Sequence, residues 1–236
     1  RRAEQHVDGA LFAGRDRFAV VVDDQDLRVR PGLADGAGSL APLLRGRLAG
    51  SFILELRESP AIRAFVDDER LQSWSQRGPV TPDHVIRTKQ HPLVLELDSR
   101  SPRDWPAYID GQLEAFRAAY RRYVAAQLEA KDVQKVALDP EPRVALVPGL
   151  GLIGIGATRK AARVAADLYE HTVSVITAAE AVGCYQALPD GDIFDMEYWS
   201  LEQAKLGKKT ARQLEGQVVI ITGAASAWAF RSIPAW

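Results

Sequence analysis

The sequence predicts an α/β protein with a mostly parallel sheet flanked by helices, in a Rossmann-like arrangement. Three short apolar runs, near residues 52–56, 92–97 and 143–147, are typical of strands buried in such sheets. Amphipathic segments at about residues 109–130 and 158–182 follow the second and third runs. Strands that alternate with helices favour parallel pairing, because each helix returns the chain to the same edge of the sheet.

The composition excludes several functional classes. The 236 residues are 47% hydrophobic and 26% charged, with a formal net charge of −1, whereas a nucleic-acid surface needs clustered positive charge. The one tight basic cluster, Arg117, Arg121 and Arg122, is predicted on the solvated face of a helix. A single cysteine, Cys184, excludes an internal disulfide and favours the cytoplasm. No apolar run approaches the roughly 18 residues that cross a membrane. We therefore expect a cytoplasmic protein with neither nucleic acid nor membrane as a partner.

Local signals predict the elements around the first strand. Leu40–Leu48 is a helical candidate. Ser59 followed by Pro60 predicts a helix start, because a hydroxyl can cap the helix and proline suits its first position. A further helical stretch covers residues 69–76, and another helix, or part of one, is predicted over residues 196–206.

The polar segment Thr81–Lys89 is predicted to form a loop before the second strand. Arg87 and Lys89 are cations that can bind a phosphorylated sugar, the arginine bidentately, and His84 is a third candidate phosphate ligand. Asp83 and His84 are also a candidate acid/base pair. The alternative is a rigid loop whose polar groups bind its own domain.

A glycine-rich stretch lies between a predicted strand and a predicted helix. Gly149, Gly151 and Gly154 match the Gly-x-Gly-x-x-Gly fingerprint, and Gly156 follows. Such glycines let the backbone approach a phosphate at a helix N-terminus. The acidic residue that the fingerprint expects about 20 residues later, after a second strand, has no counterpart here. Three interpretations stay open: phosphate binding, dinucleotide binding, and a turn that lets the helix pack closely on the sheet.

The stretch QVVIITGAAS (Gln217–Ser226) predicts the first strand and turn of a second nucleotide-binding sheet. Four of its residues are the start of an incomplete NAD loop: Thr222, Gly223, Ala224 and Ser226. Bulky Trp228 follows where the loop needs glycine. His6 and Asp8 have metal-ligand spacing but no third ligand in a supporting pattern, so no metal site is predicted.

Four segments together resemble the bifunctional rhamnulose-1-phosphate aldolase/short-chain dehydrogenases. They are LAPLLRGRLA (Leu40–Ala49), GPVTPDHVIRTK (Gly78–Lys89), VPGLGLIGIG (Val147–Gly156) and DMEYWSLEQAKL (Asp195–Leu206), the last followed by VVIITGAAS. The resemblance covers most of residues 39–226. It implies a class II aldolase domain that cleaves a sugar phosphate with a zinc-type metal, a connecting region, and a dehydrogenase that oxidises lactaldehyde with NAD(P).

The resemblance implies four parts in this chain. Residues 1–39 are expected to be the end of the aldolase domain, 40–206 an α/β connecting domain, 207–216 a linker, and 217–236 the truncated start of a dehydrogenase Rossmann domain. The tail 227–236 departs from the family, as either a native variation or a frame-shifted reading would.

The resemblance also places both active sites outside this chain. The metal-binding histidines are expected before residue 1, and the catalytic Tyr-x-x-x-Lys pair after residue 236. We therefore expect neither activity, no catalytic residue and no bound metal or NAD(P) for this chain alone. Its expected partners are the flanking catalytic domains, in a homo-oligomeric parent, and a small phosphorylated sugar. The alternatives are a phosphate- or nucleotide-binding module and a structural spacer that docks two catalytic domains.

Overall fold

A computed structural model describes residues 34–97 and 100–206. The elements in chain order are α1 (Ala34–Arg47), β1 (Ile53–Arg57), α2 (Pro60–Val66), α3 (Leu71–Ser75), a 3-10 helix (Pro82–His84), α4 (Val85–Thr88), β2 (Leu93–Val94), α5 (Trp105–Lys131), β3 (Val144–Val147), β4 (Gly151–Gly156), α6 (Arg159–Val182), α7 (Asp190–Glu197) and α8 (Ser200–Leu206). Within these two ranges, no helix combines the length and apolarity that a membrane span requires.

The predictions for both ends of the chain lie outside the described residues. These are the aldolase remnant up to residue 33, the linker at 207–216 and the dehydrogenase start with its loop residues Thr222, Gly223, Ala224 and Ser226.

The α/β class is confirmed, but the sheet is small and mixed. Its four strands lie in the order β1-β4-β3-β2. β4 is antiparallel to both β1 and β3, and only β2 and β3 are parallel. The prediction of a mostly parallel sheet is therefore wrong. The three predicted strands do run in one direction, but β4 is inserted between two of them.

A tight turn explains the inserted strand. Leu150 N donates to Val147 O at 3.0 Å, and Gly149 has a φ of 77°, a conformation that glycine adopts at little cost. The chain reverses here and forms a β3–β4 hairpin, where the sequence predicted a loop leading into a helix.

Helices cover both faces of the sheet, and the period-two alternation of β3 fixes which residue meets which layer. Val144 and Leu146 pack in a core with residues of α2, α3 and α6. Ala145 and Val147 pack on the opposite face with residues of α1 and α5. The result is a three-layer arrangement of helices, sheet and helices.

The longer predicted helices are confirmed. α5 and α6 correspond to the segments predicted at 109–130 and 158–182. Ser59 caps α2 by accepting from Ile62 N at 3.4 Å, with Pro60 at its first position. The prediction of a loop over Thr81–Lys89 is wrong, because this segment forms a 3-10 helix and α4. The helix predicted over residues 196–206 corresponds to the end of α7 and to α8.

Candidate functional site

The glycine stretch is a strand packed directly under a helix. A Cβ atom on Gly154 would lie 2.3 Å from Ala162 O, and one on Gly156 would lie 2.3 Å from Ala162 N. Helix α6 therefore occupies the space beside these glycines that a pyrophosphate would need. The residues do not fit a dinucleotide, and they match instead the interpretation of close helix packing. Binding of a phosphate to Gly149, Gly151, Gly154 or Gly156 stays a prediction.

The cationic segment before β2 distributes its side chains over different environments. His84 meets the ring of His171 on α6 edge to face, with 6.4 Å between the ring centroids. Arg87 is partly exposed on α4. Lys89 lies in the core, with 5% of its surface exposed. The three predicted phosphate ligands therefore do not present one shared cationic surface.

Backbone geometry places Lys89 in the core. It ends α4 with φ 64° and ψ 173°, and its N–H donates to Val85 O at 2.9 Å. A positive φ is uncommon for a residue other than glycine. Its Nζ lies 3.8 Å from Glu197 Oε1 and 3.8 Å from the centroid of the Tyr120 ring. A carboxylate and an aromatic face thus stabilise the buried ammonium.

Glu197 is the centre of this buried cluster. It lies at the end of α7 and is fully buried. Tyr120 OH, on α5, donates to Glu197 Oε1 at 2.8 Å and lies 3.1 Å from Tyr198 OH. Tyr198 OH accepts from Leu138 N at 3.2 Å. No described residue hydrogen-bonds to Glu197 Oε2. The cluster of Lys89, Glu197, Tyr120 and Tyr198, here called the lysine–glutamate cluster, joins α7 to α5 and to the segment before β2.

Burial controls the ionisation of the lysine–glutamate cluster. Desolvation lowers the pKa of Lys89 to about 8, although the Glu197 charge opposes this. Desolvation also raises the pKa of Glu197, against the attraction of Lys89. Burial, and then the Glu197 charge, raise the pKa of the Tyr120 hydroxyl. Both members of the ion pair are therefore easier to neutralise than in water. An amine that titrates near neutrality suits a base chemically, but here its neighbours enclose it.

Lys89 and the turn at Gly149 lie at opposite ends of the sheet, and β4 brings Gly154 back beside Val144, at the start of β3. β2 and β3 are parallel, with Leu93 beside Ala145. Lys89 precedes the start of β2, whereas Gly149 follows the end of β3. The hypothesis that the two segments meet across the carboxyl edge of the sheet is therefore wrong.

A shallow cleft of about 570 Å³ lies beyond the carboxyl end of β3. Four of the nine residues that line it are acidic: Asp67, Asp68, Glu69 and Glu96. Asp67 accepts from the backbone N–H of Gly149 at 2.7 Å. Clustered negative charge repels a phosphate, so the cleft disfavours the predicted ligand.

Sequence reasoning missed the partners of two charged residues. Glu197, the partner of Lys89, gave no signal because the two lie far apart in the chain. Arg117, predicted on a solvated face, instead donates from Nε and NH2 to the two carboxylate oxygens of Glu141, at 2.7 and 3.0 Å. Glu141 is 2% exposed. Over residues 34–97 and 100–206, no three histidine, cysteine or acidic side chains converge as metal ligands would.

Comparisons with known proteins give two similarities. The family model described as "Aldolase class II, second domain" matches residues 35–206, which almost coincide with α1–α8. A Bacillus subtilis (strain 168) protein named "Uncharacterized oxidoreductase YuxG" is 25% identical over 235 residues, or 95% of this chain. The chain spans 32% of the length of that relative.

Proposed function

This chain belongs to the family described as aldolase class II, second domain, and from this premise we propose that its described part is the connecting domain of a two-activity sugar-catabolism enzyme. In this proposal a class II aldolase domain cleaves rhamnulose 1-phosphate, and a short-chain dehydrogenase domain oxidises the lactaldehyde produced. The aldolase domain uses a zinc-type metal and the dehydrogenase uses NAD(P). The connecting domain holds the two catalytic domains, and neither reaction takes place on it.

The observation that carries the proposal is the coincidence of the family match with one packed unit. Residues 35–206 coincide with the described elements from α1 to α8 and include the four-stranded sheet, with a core on each face. The relative matches 95% of this chain but is about three times as long, and its name is that of an oxidoreductase. A folded unit within a longer oxidoreductase is what a connecting domain requires.

The chemistry of the described side chains supports a structural role. Lys89 and Glu197 bind each other in the core, and Arg117 binds Glu141. β4 packs against α6 with no room for a dinucleotide between them. These groups act on the fold of the domain, so we assign the catalytic ligands and proton carriers to the flanking domains.

Turnover assays test the proposal. The 236-residue chain is incubated with Zn²⁺ and rhamnulose 1-phosphate, and separately with NAD and lactaldehyde. We expect no product in either assay. The Bacillus subtilis relative, assayed in parallel, is expected to catalyse both reactions. Turnover by the 236-residue chain would contradict the connecting role, and a relative with only one activity would contradict the two-activity parent.

A ligand titration separates the connecting role from a phosphate-binding module. Thermal unfolding is followed with millimolar rhamnulose 1-phosphate, inorganic phosphate and NAD. A connecting domain shows no shift in melting temperature with any of them. A shift that Arg87→Gln abolishes and Arg121→Gln preserves would instead assign phosphate binding to the segment before β2.

A further inference from the structure

The two edge strands of the sheet differ in how well they are covered. At the β2 edge, Leu93 and Val94 are 3% and 7% exposed. At the β1 edge, Leu54 is half-buried and Leu56 is 40% exposed. Over residues 34–97 and 100–206, β1 is therefore the more exposed of the two edges.

Hydrogen bonding in β4 shows which backbone groups of β1 point outward. Ile155 N donates to Arg143 O at 2.8 Å, toward β3. Because the direction alternates along a strand, Gly154 faces β1 and pairs with Glu55. Leu54 and Leu56 in β1 consequently direct their N–H and C=O groups away from β4.

The backbone groups that point outward at the β1 edge differ in whether another residue hydrogen-bonds to them. The carbonyl of Phe52, which has the same orientation, accepts from Arg45 Nε at 2.6 Å. Among the described residues, no strand pairs with the outer side of β1, and no backbone hydrogen bond from another element reaches Leu54 or Leu56. Such an edge favours pairing with another strand.

We propose that the outer edge of β1 is the interface between two copies of this chain, which pair antiparallel about a two-fold axis at Leu56. Pairing requires outward-facing residues to lie opposite one another, so the axis passes through Leu54, Glu55 or Leu56. An axis at Glu55 places like charges opposite each other, and an axis at Leu54 leaves the charges unmatched. The axis at Leu56 places Glu55 of each copy opposite Arg57 of the other, so the ion pair that these two residues form within one chain can also form across the interface.

Helix α6 supports the same register. Arg163 lies beside Glu55, at 3.9 Å, and Asp167 lies beside Arg57, at 2.9 Å. The axis at Leu56 therefore places Arg163 of one copy beside Asp167 of the second copy. α6 packs mainly on β4 and reaches β1 through these two side chains, so Arg163 and Asp167 are the residues of α6 on the side of the second copy.

The oligomeric state in solution is the first test, and it does not depend on the proposed function. Sedimentation equilibrium is expected to give about twice the chain mass of 25.9 kDa. Leu56→Lys places two ammonium groups opposite each other and should weaken dimerisation at least about tenfold. Val182→Lys, at a site that is 91% exposed, is the matched control and should leave the dimer intact.

Disulfide cross-linking tests the register directly. Facing residues of a hydrogen-bonded antiparallel pair have Cα atoms about 5.5 Å apart, within the range that a disulfide bridges. Leu56→Cys in a Cys184→Ser background should therefore form a covalent dimer on mild oxidation. Val136→Cys in the same background, 91% exposed, should not. The cross-link still tests the proposed interface if the Leu56→Lys variant fails to fold.

Several results would overturn the proposal. They are a monomer at all concentrations, a dimer that a folded Leu56→Lys variant leaves unchanged, and an absence of the Leu56→Cys cross-link. Hydrogen exchange tests whether another segment of the same chain, rather than a second copy, pairs with β1. A monomer whose Leu54 and Leu56 amides exchange slowly would assign the β1 edge to another segment of the same chain.

Discussion

The β4–α6 contact and the lysine–glutamate cluster both hold a helix in place, but by opposite means. At the first, Gly154 and Gly156 have no side chains, and the backbone of α6 fills the space above them. At the second, a lysine, a glutamate and two tyrosines fill the interior and bind each other. The first contact depends on the absence of side chains at two glycines, and the second depends on polar groups that bind each other.

This difference determines how each contact responds to substitution. Against a rigid backbone, any added atom must displace the helix. In the polar cluster, removing one partner leaves a buried charge without compensation, whereas removing both partners removes the charge altogether. The glycine contact should therefore be intolerant of every residue, and the cluster only of unmatched changes.

The largest expected effect is that of Gly154→Ala. The new Cβ would lie 2.3 Å from Ala162 O and 2.9 Å from Ala166 N, both backbone atoms. We expect the free energy of unfolding to fall by more than about 3 kcal/mol, measured by urea denaturation. Gly111→Ala is the control, since nothing lies within 4 Å of its Cβ position in α5. It should stabilise the protein by about 0.5–1 kcal/mol. A mild loss for Gly154→Ala would show that α6 can move away from the sheet.

Unmatched substitution of the lysine–glutamate cluster comes next. Lys89→Met leaves Glu197 buried without its cation and should lower the free energy of unfolding by about 3 kcal/mol at neutral pH. Methionine has the same backbone strain at a positive φ as lysine, so the change reports on the charge. The double variant Lys89→Met/Glu197→Leu should recover most of the loss. If the double variant is no more stable than the single one, packing rather than charge matching dominates the cluster.

The pH dependence of stability should distinguish the cluster from the glycine contact. The pKa of Lys89 is about 8 in the folded state, below its ordinary value of 10.5, so the unfolded state binds more protons between these values. Stability contributed by Lys89 therefore rises as the pH increases above about 8. The raised pKa of Glu197 has the opposite sign, since the folded state then binds more protons and stability falls as the pH rises above 4.5.

This dependence is measured as the difference in free energy of unfolding between the wild-type chain and Lys89→Met/Glu197→Leu. The difference should decrease from acid pH toward neutrality and recover above pH 8, with a slope of at most about 1.4 kcal/mol per pH unit. Measurements stay below about pH 9.5, because tyrosines in the unfolded state ionise near 10. Gly154→Ala, which changes no titratable group, should show no such curve. A flat difference would contradict the burial of both charges.

The comparison also explains how far the sequence could predict the fold. Three strands and the two long helices followed from apolar runs and helical periodicity, which are local signals. β4 was missed because GLIGIG follows a strand and precedes a helix, which is also the pattern of a phosphate loop. The alternation of Ile153 and Ile155 with Gly154 and Gly156 was the available signal, together with the alanines of α6. These small residues on both elements indicate close packing.

The lysine–glutamate cluster could not have been predicted in this way. Lys89 and Glu197 belong to different elements, and only the tertiary fold brings them together. A lysine in a polar segment normally indicates solvent exposure. The positive φ that directs this segment into the core has no sequence signature.

The smallest effect concerns a contact intermediate between the two regions, the Arg117–Glu141 pair. Each charge has a partner of opposite sign, as in the lysine–glutamate cluster, but 16% of the Arg117 side chain is exposed. Arg117→Lys preserves the charge and loses the bidentate geometry and the bond to Arg47 O, so we expect a loss of about 1–2 kcal/mol. Arg121→Lys, whose partner Glu114 is exposed, should change stability by less than about 0.5 kcal/mol. Equal effects in thermal denaturation would mean that the fork geometry of Arg117 contributes nothing, and that charge matching alone determines the stability of polar contacts in this domain.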